Sequence, residues 1–111
     1  MTSEERAEYI RWFDATYCAP LLESKGTEYS RGEDDCNSNF KRVAEGLGLD
    51  PVTVAWVYAL KHIDSITNFV KTRETPSGER IEGRIGDAVN YLRILASLLH
   101  EELVSGKGVS P

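Results

Sequence analysis

The stretch DPVTVAWVYALKHIDSITNFVKTR, residues 50–73, decides the fold. Its aspartate can accept from the orphan amides of a first helical turn, and a proline at that turn loses no donor it needs, so Asp50-Pro51 opens a helix. Val52, Trp56, Ala59, Leu60, Ile63, Ile66 and Val70 then return every three or four positions, the period of one buried helical face, to about Arg73. Val54, Val57 and Tyr58 lie off that face, so neighbouring helices or a second subunit must wrap this segment.

Working outward, Glu74 to Glu79 is a turn with Pro76 and Gly78, and a last helix is expected from about Arg80 to Val104. Its main stripe is Ile81, Ile85, Ala88, Val89, Leu92, Leu95, Ala96, Leu99 and Leu103. Beside it runs a second stripe, Arg84, Asp87, Tyr91, Ile94 and Leu98, polar at its start and apolar at its end. Upstream, Phe40, Val43 and Ala44 mark a short helix over Ser38 to Glu45, ended by Gly46 and Gly48. Residues 26–37 carry turn formers and a net charge of −3, and read as a loop. Thr2 with Glu5 has capping-box spacing, and Ala7, Ile10, Phe13, Tyr17 and Leu21 predict a first helix toward Gly26. Pro20 should kink or restart that helix near Ala19. Strand alternation is nearly absent. The expectation is an all-α fold, a bundle of three to four helices in one domain over residues 1–104 with a frayed tail at 105–111. So few helices cannot cover two stripes, which calls for completion by homo-oligomerisation, as a two-fold dimer.

In a chain of 111 residues, thirteen basic side chains against eighteen acidic ones leave a net charge of −5. That field repels duplex nucleic acid and anionic lipid, so an anionic ligand must be held by a local basic pocket. No apolar run approaches the ~18–20 residues of a membrane span. The opening Met1-Thr2-Ser3-Glu4-Glu5-Arg6 has the wrong chemistry for a secretory leader, which makes the cytoplasm the expected compartment and reduced thiols the expected state of Cys18 and Cys36.

The residue types that carry chemistry gather in the last two helices. Lys61, Asp64 and Asn68 share a polar side of the third, with His62 nearer the core border; the plain alternative is a solvated ion pair and a packed histidine. His100, near a helix end that favours cations, is assigned no function. Arg84, Asp87 and Tyr91 cluster on the fourth helix beside Gly83 and Gly86. Each glycine costs helix stability by ~1 kcal/mol relative to alanine, so each calls for close approach by a helix or a ligand. A tight crossing with an Arg84–Asp87 ion pair weighs about as much as a ligand site. Because a guanidinium offers paired donors to anionic oxygens, Arg84 is the foremost ligand candidate. The acidic residues of the 28–35 loop suit a hard cation such as magnesium, although solvated acidic loops are commoner. No Walker loop, nucleophile elbow, paired CxxC or HExxH occurs.

Glu28-Tyr29-Ser30, Asn39-Phe40-Lys41-Arg42, Gly48-Leu49-Asp50-Pro51, Lys61-His62-Ile63-Asp64 and the block from Gly83 to Leu92 (GRIGDAVNYL) together resemble small all-helical bacteriophage proteins. More distantly they resemble the MazG-like all-α nucleoside triphosphate pyrophosphohydrolases. The likeness spans roughly Lys25 to Glu101 and implies a nucleotide-type ligand in the cytoplasm of an infected bacterial host. MazG-like enzymes hold magnesium through Glu-x-x-Glu and Glu-x-x-Asp motifs, and neither is complete in a suitable helix here. Phages also use small oligomeric helical proteins that sequester host nucleotide immune signals, a class this chain resembles in size and organisation.

Three functions follow as expectations. In the first, a non-catalytic oligomer needing no cofactor sequesters a phosphate-bearing nucleotide such as a cyclic dinucleotide or an ADP-ribose derivative. Arg84 and Lys61 would contact phosphate, His62 and Asn90 would add polar contacts, and Tyr29 or Tyr91 would stack on a base. In the second, a magnesium-dependent pyrophosphohydrolase uses Asp64, Glu82 and Asp87, with Glu28, as metal ligands. The third is a helical module that meets a host protein along Ile94 and Leu98.

Overall fold

Thr53 shows why the longest segment starts where it does: its N–H donates to Asp50 Oδ1 at 2.9 Å and its hydroxyl to Oδ2 at 2.7 Å. The computed structural model describes residues 1–20 and 35–105, and every regular element among them is helical. α1 spans Ser3–Phe13 and continues through a π-helical turn at Asp14–Cys18; α2 spans Ser38–Leu47, α3 Pro51–Thr72 and α4 Ile81–Val104, with a 3₁₀ turn at Pro76–Gly78 before α4. The expected capping box forms at the start of α1, where Glu5 N–H donates to the Thr2 hydroxyl at 3.1 Å. α2 ends on Gly48, left-handed at φ 69°, and the Leu49 N–H returns to the Ala44 carbonyl at 2.9 Å. The Gly26–Asn37 loop lies outside the described residues except for Asp35 to Asn37, as do the first helix beyond Pro20 and the tail beyond Ser105.

The core gathers where α2 and α4 meet α3: Phe40 and Ala44 from α2, Val54, Ala55 and Ala59 from α3, Tyr91 and Leu98 from α4. Tyr58 joins the three, its ring 5.9 Å from Phe40 on one side and 5.9 Å from Tyr91 on the other. This corrects the face assigned to α3. Ala59 is buried as expected, but Trp56, Leu60 and Val70 are 42%, 37% and 58% exposed; Val54, off that face, is buried beside Phe40 and Ala44, in line with the expected wrapping by a neighbouring helix. The small side chains of Ala55 and Ala59 let α4 approach closely, and α2 covers Val54, so the packed face is the one with neighbours rather than the one with the most apolar area. On α4 the two expected stripes share the burial, with Ala88 of the first buried and Leu95 packed against the core. Tyr91 and Leu98 of the second stripe enter the core, whereas Leu92, Leu99 and Leu103 of the first are exposed.

The irregularity expected near Ala19 takes the form of a π turn that ends at Cys18, with α-helical geometry resuming at Ala19. Pro20 offers no N–H and crowds the preceding turn, and the chain responds with the π turn, in which Ala19 N–H reaches back to the Asp14 carbonyl. This turn is what fastens α1 to the bundle. Asn90 of α4 donates to the Cys18 carbonyl at 2.8 Å, and Arg93 pairs with Asp14 at 2.7 Å. α1 itself has no buried residue, so the burial expected along Ile10 is not found.

Candidate functional site

Where the π turn meets the first turns of α4, Tyr17, Glu79, Arg80, Gly83, Arg84 and Asp87 line a groove of about 440 Å³. Close packing beneath it is set by Gly86: a Cβ there would stand 2.7 Å from the Tyr17 carbonyl oxygen, so only glycine lets the π turn sit this near α4. Gly83, the other glycine for which close approach was expected, has nothing within 4 Å among the described residues and simply opens the groove wall.

Arg84 is the best-anchored cation of the groove. One terminal nitrogen donates to the Ser65 hydroxyl on α3, and the other pairs with Glu79 at 2.8 Å, so Glu79 takes the place expected of Asp87 as a partner. Its Nε is buried and has no acceptor among the described residues. Arg80, just before α4 and one turn from Arg84, pairs with Glu82 at 2.6 Å; the guanidinium holds the Glu82 carboxyl below the usual carboxylate range. Behind the groove α1 and the π turn carry an aromatic ladder. Tyr9 stacks on Phe13 at 6.3 Å, Phe13 meets Tyr17 at 5.8 Å, and Trp12 meets Tyr17 edge-on at 5.7 Å. The arrangement offers two guanidinium forks, an aromatic ring and two carboxylate acceptors around one opening. Such a set can bind a planar polar ligand that carries an anion.

The expected site residues divide sharply. Arg84 and Asp87 line the groove. Glu82 is half-buried beside it in its pair with Arg80. His62 lies flat on Tyr91, ring centroids 5.0 Å apart, and Tyr91 is 6% exposed with its other neighbour Tyr58, so its ring is committed to the core. Asn90 is equally committed, buried against the Cys18 carbonyl. Lys61 and Asp64 project outward from α3. Tyr29 and Glu28 lie outside the described residues. Asp64, Glu82 and Asp87 do not converge, and among the described residues no three His, Cys, Asp or Glu side chains form a group able to hold a metal ion. Sequence reasoning missed Tyr17, Glu79 and Arg80. The i, i+4 spacing of Arg80 and Arg84 was a readable signal for one of them, whereas Tyr17 is brought in by the π turn, which no spacing announces.

A larger cleft of about 610 Å³ lies at the far end of α4, lined by Lys41, Asp50, Leu98, Glu101 and Glu102 among others. Its lysine already bridges Asp35 at 2.6 Å and Glu101 at 2.8 Å, and the surplus of carboxylates makes it a poor anion site. No helix of the described residues is long and apolar enough to cross a membrane. Comparisons with protein-family models, curated proteins and solved structures found no match to this chain.

Proposed function

We propose that the protein binds a phosphate-bearing nucleotide in the Tyr17–Arg84 groove and holds it without chemistry. The observation that carries this reading is Arg84: a half-buried guanidinium facing a groove, with one buried N–H lacking an acceptor among the described residues and another held by Glu79, a carboxylate that is 58% exposed and free to swing aside. A phosphate oxygen would replace that carboxylate with a bidentate partner. Arg80, one helical turn away, would meet a second anionic oxygen, the Tyr17 ring would face a base, and Asp87 would accept from ribose hydroxyls. The aromatic role thus passes from Tyr91 to Tyr17, and Lys61, His62 and Asn90 take no direct part. A cyclic dinucleotide and an ADP-ribose derivative both fit this chemistry, and sequestration of such a signal in an infected bacterial cell is the role that the phage-protein resemblance suggests.

The test is a panel of nucleotides and cyclic signals incubated with the purified protein and magnesium, with mass spectrometry before and after denaturation. Intact ligand released only on denaturation, and lost in Arg84→Ala, is the expected result. Equal retention by Arg84→Ala removes the groove from consideration. Magnesium-dependent conversion to a monophosphate and pyrophosphate, abolished by Asp87→Asn, would establish the hydrolase instead.

A further inference from the structure

We infer that the open side of the α3–α4 hairpin is a homodimer interface on which a second copy of this chain completes a four-helix bundle. α4 runs back along α3, and the seam between them has two sides. One is covered, by α2 over Val54 and Tyr58 and by the π turn over Gly86 and Asn90. The other presents Trp56, Leu60 and Val70 of α3 beside Leu92, Leu99 and Leu103 of α4, all between 37% and 58% exposed. Their spacings, four and fourteen residues in α3 and seven and eleven in α4, keep each trio on one helical face. Two apolar stripes therefore lie side by side along the hairpin, with no charged residue in either.

The absence of charge along both stripes favours a permanent, self-complementary partner over a transient one, since homodimer cores are the most apolar class of interface. A two-fold axis across the hairpin sets each stripe pair on its counterpart, the packing of an antiparallel four-helix bundle. The six side chains and their half-buried neighbours offer on the order of 600 Å² of apolar area per chain, close to the ~800 Å² per partner of a standard interface once a polar rim is added. The segments outside the described residues carry fewer large apolar side chains than the two stripes. Residues 21–34 and 106–111 contribute only Leu21, Leu22, Tyr29 and Val109 as large apolar side chains.

The experiment is sedimentation equilibrium on the full chain at micromolar concentration, with helicity followed by circular dichroism. The expected result is a species of twice the 12.4 kDa chain mass, reduced to monomer with unchanged helicity in Leu60→Glu and in Leu99→Glu. Trp56→Ala, which removes area without adding charge, should weaken the dimer by at least about tenfold and serves if a charged variant fails to fold. A monomeric wild type overturns the proposal, as does a dimer indifferent to Trp56→Ala and to the charged variants that fold. Nucleotide binding is not needed for any of these outcomes, so the two readings fail separately.

Discussion

Gly83 and Gly86 sit three residues apart on one helix, and the structure gives them opposite reasons to exist. At Gly86 a methyl group would stand 2.7 Å from a carbonyl oxygen and 3.1 Å from the Tyr17 Cβ, both belonging to a turn held by Asn90 and Arg93. Gly86→Ala should therefore push the π turn off α4 and destabilise the protein by about 1–3 kcal/mol, despite the gain in helix propensity. At Gly83 nothing stands within 4 Å among the described residues, so Gly83→Ala should be neutral or stabilising by up to ~1 kcal/mol. Urea unfolding of the two variants checks the contrast, and equal midpoints would show that the close approach at Gly86 is not real. The sequence demands a reason for both glycines, because each is a cost inside a helix. It does not say which one meets backbone, because that depends on a segment some seventy residues away. The same distance hides the role of Asn90, legible as a polar residue in a helix but not as the donor that satisfies the Cys18 carbonyl.

Helix boundaries and helix faces were legible to different degrees, for a physical reason. Caps are local, so Asp50-Pro51 and Thr2 with Glu5 announce α3 and α1 from a few neighbouring residues. Faces are not local: apolar periodicity says that a stripe wants burial, while the neighbours decide which stripe obtains it. Hence Trp56 and Leu99, prominent in the pattern, stay at the surface while Tyr91 and Leu98 go inside. The groove suffers the same limit, with Arg84 readable and Tyr17 not. The pattern ends α3 at about Arg73, as the structure does, but says nothing of the backbone conformation there. Arg73 occupies the left-handed region at φ 59°, holding its N–H on the Phe69 carbonyl at 2.6 Å, a position that suits glycine. Arg73→Gly relieves that strain but surrenders the guanidinium bond to the Val70 carbonyl, also 2.6 Å long and exposed. Since exposed bonds are worth less than a left-handed Cβ costs, thermal unfolding should show a gain of about 0.5–1 kcal/mol. A clear loss of stability would mean that the arginine bond matters more than the backbone.

Across the whole molecule, the start of α2 and the end of α4 are joined by a polar network beside the core that holds Phe40 and Leu98. Lys41 bridges Asp35 and Glu101, and Asn37 adds a bond to Glu101 at 2.5 Å. The lysine holds the Asp35 and Glu101 carboxyls below their ordinary values of 3.8 and 4.5, and Asp35 in turn, with Glu101, raises the lysine. Carboxyls depressed in the folded state stabilise above their unfolded pKa values and lose that contribution as pH falls through the lower folded ones. A raised lysine stabilises below 10.5 and loses its contribution as pH climbs past that value. The network's contribution should thus be level from about pH 5 to 9 and decline below about pH 4. With side chains near 40% exposed, solvent screening limits it to about 1 kcal/mol. Other paired carboxylates, Asp14 with Arg93 among them, also weaken the acid limb, so the diagnostic quantity is the difference between wild type and Lys41→Met. That difference should shrink as the pH is lowered from 6 to 3, and a constant offset across the range would mean that the lysine acts through packing alone. Lys41 meets α4 at Glu101, seventeen residues or about 25 Å along the helix from Arg84, so nucleotide retention by Lys41→Met should equal that of wild type at neutral pH. Loss of the ligand in that variant would place the binding site at the far cleft, against the groove.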